Sequence, residues 1–406
     1  MYKILEKLSY EDEEKYIETY HSRYHNEVTY HLPIKIRGNP AFFLISPDVC
    51  SLLIEIYKKD KTIAILRQRL PPVAIKQFTT YSLVDEILLT NNIEGVHSTR
   101  REIEDVLDSL REKDRQKRFQ GLVQKYYLLQ SADTISLREP KDIRDIYNEL
   151  TLNEVREANE KNVPDGHLFR KGQVAVDSPA GKELHRGLYP EKEIIDALSS
   201  ALAILNDETI NALCRVSVFH YLFGYIHPFY DGNGRTSRFI SSYLLSKELD
   251  PLVGYRLSYT IKESIEQYYK AFRVCNNPRN RADLTPFLLM FLETILRSVK
   301  QLIDALSARL EKWHYYRRIC FKTLSPDEKL SLLYDVLIQA SLFGSKGISI
   351  EELTETLEIS KSTLAKRLSQ IAPPELLHIE TESRRKFYSL ELSVLDKLYQ
   401  ETEISR

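Results

Sequence analysis

The sequence predicts a mainly α-helical protein, and three observations carry that prediction. Only 13 Gly and 16 Pro interrupt 406 residues, too few breakers for a loop-rich or low-complexity chain. Leu, Ile, Glu and Lys abound, and these straight or well-packing side chains lose little freedom in helices. Strand-like alternation is confined to two short stretches, whereas helical spacing recurs through most of the rest.

The length suggests two to four domains, and 43% hydrophobic residues suffice for real cores. With 57 Lys+Arg against 58 Asp+Glu the formal charge is −1, which excludes an overall polyelectrolyte partner but not a local basic patch. Cys50, Cys214, Cys275 and Cys320 form no CxxC pair and no zinc-finger spacing, so they are expected to be buried apolar thiols. No apolar signal core follows Met1, and no run approaches the roughly 18 apolar residues of a membrane span. The expectation is a soluble, reduced, cytoplasmic protein without a membrane partner.

The elements follow in order. Residues 1–75 are polar and Tyr-rich, punctuated at Gly38-Asn39-Pro40 and Pro71-Pro72. Ser46-Pro47-Asp48 can open a helix with Leu52, Leu53 and Ile56 on its apolar face. Leu83, Val84, Ile87 and Leu88 mark an amphipathic helix over 81–94, which Gly95 ends. Charged amphipathic segments cover 100–118, 119–130 and 141–160. Residues 164–190 break the pattern: Val174 and Val176 alternate with Ala175 and Asp177, and Pro179-Ala180-Gly181 can reverse the chain, giving a hairpin over 172–188. Helices are expected over 191–205, 207–226, 235–249, 260–274 and 283–308, with Ala212, Val216, Phe219, Phe223 and Ile226 on one face of the second. After Ser325, three helices and two alternating segments around Ser383-Arg384-Arg385 have the layout of a winged helix-turn-helix over 320–400.

The chemistry concentrates in His227-Pro228-Phe229-Tyr230-Asp231-Gly232-Asn233-Gly234-Arg235-Thr236-Ser237-Arg238. Pro228 disfavours helix at His227, and Gly232 and Gly234 let backbone N–H groups approach a ligand. Those N–H groups and the positive end of the following helix make an anion cradle. Arg235 and Arg238, at i,i+3, can both reach one polyanion. Asp231 offers a hard carboxylate for Mg²⁺, and His227 a general base. A solvent-facing Gly/Asn turn would explain any one of these features, but not the set.

The segment resembles the signature HxFx(D/E)GNGRxxR of the Fic (Fido) family and fits it at every fixed position. The resemblance implies a Fic-type helical core over 136–308, with the hairpin as its flap, preceded by a helical region over 1–135. It implies protein adenylylation: His227 deprotonates a target hydroxyl, which attacks the α-phosphate of ATP. Asp231 would hold Mg²⁺, Gly232, Asn233, Gly234 and Arg235 the phosphate oxygens, and Arg238 the γ-phosphate. Tyr268-Tyr269-Lys270-Ala271-Phe272 and Asn276 resemble the segment lining base and ribose, which assigns Tyr269 and Asn276 to the nucleotide. The flap would align the target protein by strand addition.

Thr90-Asn91-Asn92-Ile93-Glu94-Gly95 resembles the family's inhibitory motif (S/T)xxxE(G/N). Thr90 and Glu94 share one face of the 81–95 helix, and Glu94 could take Arg238 in a bidentate pair. His220 and His185 lack zinc-ligand spacing, so His220 is expected to be a packed helix histidine. Lys361, Lys366, Arg367, Arg384, Arg385 and Lys386 suit phosphate contacts, while Glu375, Glu380 and Glu382 dilute them, leaving DNA and protein both open as partners of the winged helix. Three functions compete: an adenylyltransferase restrained by Glu94, a bifunctional enzyme that also removes AMP, and a DNA-binding regulator that senses nucleotide. A homodimer is left open.

Overall fold

The computed structural model describes residues 2–110, 117–131, 133–177, 183–382 and 385–404. Helices dominate, with seven strands in three small sheets among the described residues. Two compact units result: Met1–Asp60 with Leu83–Lys300, and Lys61–Ser82 with Gln301–Arg406. The Pro72–Ile93 and Thr285–Leu324 helices each contribute residues to both units.

In the first unit, β1 (Thr29–Ile36) and β2 (Asn39–Leu44) form an antiparallel hairpin. Arg37 and Gly38 turn it with φ of 49° and 83°, the left-handed pair that matches strand twist in a two-residue loop. Proline at 33 and 40 hides these strands from pattern reading, and the register shifts between His31 and Lys35 around Pro33. Phe42 joins the hairpin to the Ala282–Leu284 segment through two backbone bonds of 3.2 and 2.8 Å.

The centre of this unit is two consecutive helices, Ala212–Ile226 and Asn233–Glu248. Asn211 caps the first by accepting from the Leu213 N–H at 3.0 Å, so it starts later than 207. One apolar face was expected, but the helix is buried on nearly all sides, as a helix at the middle of a large core must be. The helix that leads to Glu94 also begins earlier than expected, at Pro72, where the missing N–H costs nothing, and it ends at Ile93, one residue short of Glu94.

The expected hairpin appears as β3 (Ala175–Asp177) and β4 (Glu183–Arg186), antiparallel with a register shift after Val176; its Pro179-Ala180-Gly181 turn lies outside the described residues. Cys214, Cys275 and Cys320 are buried as expected, but Cys50 is exposed, because its helix turns that side outward. No helix among the described residues is long and apolar enough to cross a membrane.

The second unit contains helices Glu328–Phe343, Ile350–Leu357 and Lys361–Leu368, then the sheet β5 (Ile348–Ser349), β6 (Leu377–Glu382) and β7 (Arg385–Leu390) in order β5-β7-β6. Ser349 and Glu352 form a reciprocal capping box, and Ser360 caps the next helix. Arg384 lies outside the described residues. A final helix, Leu392–Ile404, was not anticipated; its Leu395 is fully buried.

Candidate active site

The loop between the two central helices is built from its own residues. His227 ends the first helix in the left-handed region, φ 53°, and Gly232 opens the second at φ 81°. Phe229 is fully buried and stacks on Tyr147 at 3.7 Å between ring centroids, which anchors the loop in the core. Asn233 closes it: its Oδ1 accepts from Phe229 N–H at 3.0 Å, and its Nδ2 donates to the Phe229 carbonyl at 2.8 Å. The Asn233 side chain is thus spent on the loop, and only its backbone N–H is left for an anion.

A cavity of about 230 Å³ opens over this loop. His227, Asp231, Gly232, Asn233, Gly234, Arg238 and Tyr269 line it, together with Glu94. A larger cavity of about 650 Å³ lies elsewhere in the unit, between the Thr134–Arg138 segment and Tyr243 and Lys247, and contains none of these groups. The chemistry therefore belongs to the smaller cavity.

Arg238 is 1% exposed. Its Nη2 lies 2.9 Å from Glu94 Oε1, its Nε donates to Thr90 Oγ1 at 2.8 Å, and Nη2 donates to the Thr90 carbonyl at 3.0 Å. The expected bidentate pair is therefore one carboxylate contact completed by Thr90. Burial works against the arginine's charge, but Glu94, Tyr268 and Tyr126 more than offset it and hold its pKa above the ordinary value. The Glu94 carboxylate rests on Gly234, where any Cβ would collide with Oε1 and come within 2.8 Å of Arg238 Nη1.

His227 is half-buried at the opposite wall. Burial first, then His185 and Arg170, hold its pKa well below 6.5, so the imidazole is neutral near pH 7 and less basic than an exposed histidine. Asp231 keeps 38% of its side chain exposed, 3.8 Å from Arg235 Nη2. One open carboxylate beside a cation-lined cradle fits a magnesium ion carried in on phosphates; no group of three His, Cys, Asp or Glu suited to a resident metal occurs among the described residues.

Two assigned residues stand apart. Arg235 is 2% exposed but does not line the cavity; Glu154 and Tyr147 feel its charge behind the loop. Asn276 is also buried outside the lining, accepting from Tyr221 Oη at 2.6 Å. His220 is packed as expected, bridging Ser241 Oγ at 2.8 Å and Tyr268 Oη at 2.7 Å.

Residues 138–245 match the model of the Fic/DOC family. This stretch is a Fic domain. The Fic domain contains the whole loop, while Glu94 precedes it. Among curated proteins, the chain is 29% identical over 167 residues to protein adenylyltransferase fic-1 of Caenorhabditis elegans, covering 39% of this chain and 30% of that protein. It is 37% identical over 87 residues to protein adenylyltransferase Fic of Drosophila grimshawi, covering 21% and 16%. The chain thus spans a third or less of these relatives' length. Among solved structures, a Fic family protein from Desulfovibrio desulfuricans G20 shares the fold at a TM-score of 0.53 and 19% identity, over 89% of this chain and 98% of that one.

Two residues of the site escaped the sequence reading. Glu86, fully buried, lies on the Pro72–Ile93 helix, two turns before Glu94, which directly follows the helix end. It accepts from Ser258 N at 2.9 and 3.0 Å, Ser258 Oγ at 2.5 Å and Ser242 Oγ at 3.4 Å. Burial lifts its carboxyl to about 7 against those bonds and the Arg238 charge. Its signal was an acid on the helix face of Leu83 and Ile87, beside Asp85 and at i,i+4,i+8 spacing with Thr90 and Glu94. The second is Arg170, fully buried beside the loop.

Proposed function

We propose that this Fic-domain protein transfers AMP from ATP to a hydroxyl of a protein, and that Glu94 restrains the transfer. The observation that carries the reading is the Glu94–Arg238 pair at 2.9 Å, lying on Gly234 in a cavity whose other wall is His227. Similarity to proteins named adenylyltransferases supports the donor.

The first backbone N–H groups of the Asn233–Glu248 helix have no partner within that helix and donate to phosphate oxygens. Arg238 takes the terminal phosphate once Glu94 leaves it. Asp231 would hold a magnesium ion, which on binding neutralises phosphate charge. His227 takes the hydroxyl proton as the target oxygen bonds to the α-phosphorus; the bond from that phosphorus to the bridging oxygen breaks, and pyrophosphate leaves. The target strand pairs along β3–β4. While Glu94 holds Arg238, the terminal phosphate has no seat.

In the second unit, exposed Glu351, Glu355 and Glu358 adjoin Lys361 and Lys366, and Lys361 is paired to Glu351 at 2.8 Å. That mixture favours a protein over DNA as its partner.

Labelled ATP with the Glu94→Gly protein tests the central reading. A charge-assisted hydrogen bond is worth about 1.5–3 kcal/mol, so labelling should rise by roughly ten- to a hundredfold, with an added mass of one AMP on intact protein. Unchanged labelling with ATP bound would remove Glu94 as the restraint; no label in either protein would remove the transferase reading.

A further inference from the structure

We propose that Arg170 is a positioning residue for the transfer step, holding His227 and both stems of the flap as one rigid piece. The inference rests on the transferase reading only for its kinetic test.

The Ala212–Ile226 helix ends inside the protein, and its last carbonyls have no partner within the helix. His227 takes the left-handed turn and Pro228 bars continuation, so those carbonyls face the flap rather than another helical turn. The segments on either side of the flap satisfy them. His185 Nε2 donates to the Tyr225 carbonyl at 3.0 Å, and Leu188 N to the Ile226 carbonyl at 3.1 Å.

Arg170 completes the set. Its Nε donates to the His227 carbonyl at 2.9 Å, and Nη2 to the Leu188 carbonyl at 2.8 Å and the Ile226 carbonyl at 3.4 Å. Nη1 donates to the Gly172 carbonyl at 2.6 Å. Its own backbone N–H reaches the Pro228 carbonyl at 3.3 Å. One guanidinium therefore ties residue 172 before the flap and residue 188 after it to the peptide of the general base.

The side-chain hydrogen-bond partners of this 0% exposed cation among the described residues are all carbonyls. Burying a charge in that way is costly unless the geometry it fixes is used. A guanidinium suits the task where an ammonium does not, because its planar fork reaches several directions at once. It also sits at the negative end of the helix, where a cation is favoured. Gly187 leaves room for it: a Cβ there would collide with Nη2 and come within 3.0 Å of His227 Cβ. The phosphate cradle stands on the next helix and shares none of these bonds. Arg170 should therefore govern the rate of transfer and not the affinity for ATP.

The test uses full-length Glu94→Gly protein with and without Arg170→Lys. The expected result is a fall in kcat of tenfold or more, with KM for ATP and ATP affinity by calorimetry within twofold. The His227 imidazole resonance in a ¹H–¹⁵N spectrum should also move. If Arg170→Lys does not fold, Arg170→Gln, which keeps donors without charge, should give the same split. An unchanged kcat, or equal losses in kcat and ATP affinity, would overturn the proposal. If Glu94→Gly itself labels nothing, the transferase reading fails instead, and an unmoved His227 resonance then decides against Arg170 on its own.

Discussion

Arg235 and Arg238 stand three residues apart on one helix, and both are almost wholly buried, yet the two sides of that helix treat them differently. On the cavity side, Arg238 has a carboxylate, a hydroxyl and a carbonyl within 3.0 Å. Behind the loop, Arg235 has one carboxylate at 3.8 Å, and its Nε and Nη1 find no hydrogen-bond partner among the described residues. The cavity side has a charge pair, and under the proposed function phosphate replaces its carboxylate. The rear side has a fixed charge whose neighbours, Glu154 and Asp231, compensate it at longer range. Shared sequence spacing does not make two arginines equivalent; what packs against each one does.

The strongest way to break this contrast is at the cavity side. In a Glu94→Gly background, His227→Asn should lower labelling by about 10²–10⁴, the usual worth of a general base, with ATP affinity retained in calorimetry. Surviving activity would move the chemistry off this wall. Next, Arg238→Ala should weaken ATP binding about tenfold or more in that background while sparing ADP, whereas Arg235→Ala should leave the ATP-to-ADP ratio unchanged. Calorimetry with both nucleotides checks this, and equal behaviour of the two variants would erase the contrast.

A smaller effect is expected at the rear side. Arg235 is a cation in the first turn of a helix, where the dipole disfavours it, and replacing a poorly paired buried charge by an apolar side chain is often neutral or stabilising. Arg235→Met should therefore melt no more than a few degrees below the parent; a collapse in melting temperature would show that the rear charge is a structural necessity.

The smallest effect concerns Glu86. Its carboxyl is raised from 4.5 to about 7 in the folded chain, so the folded state holds a proton that the unfolded state has lost. Its contribution to stability is present below pH 4.5 and is lost as pH rises to 7, with no further change above. His185 and His220, lowered to about 4 and about 3 by burial, act oppositely, gaining stability up to 6.5. The difference between parent and Glu86→Gln isolates the acid: melting curves at pH 5, 6, 7 and 8 should show the variant relatively more stable as pH rises to 7. A pH-independent difference would mean that Glu86 is ionised throughout.

Much of this site was legible because it is local. His227, Asp231 and the two glycines lie within eight residues, and Thr90 and Glu94 within five, so spacing alone assembles them. Arg238 and Arg235 were legible as arginines near an anion loop but not as opposites, because i,i+3 positions fall on adjacent faces whose neighbours come from distant segments. Arg170 was illegible for a different reason. Its partners are backbone carbonyls, which every residue type supplies, so no side-chain pattern marks them. The helical class was readable from periodicity, whereas β1 and β2 were hidden by prolines that ordinarily argue against strands. The reach of the two helices that pass between units was also hidden, since nothing in a helix's own periodicity says which body its far end joins.

The left-handed backbone of His227 has a consequence for which sequences can occupy that place. A non-glycine side chain at φ 53° is uncommon, several-fold more readily tolerated by Asn, Asp and His than by other types, and poorly tolerated by β-branched ones. Of those three, only an imidazole is a neutral base near pH 7 with two distinct nitrogens. Position 227 thus applies a conformational filter and a protonic filter to the same residue, and histidine passes both. The set of single replacements that remove the base without disturbing the chain is correspondingly narrow, with asparagine foremost, while alanine or valine would mix lost chemistry with a displaced loop.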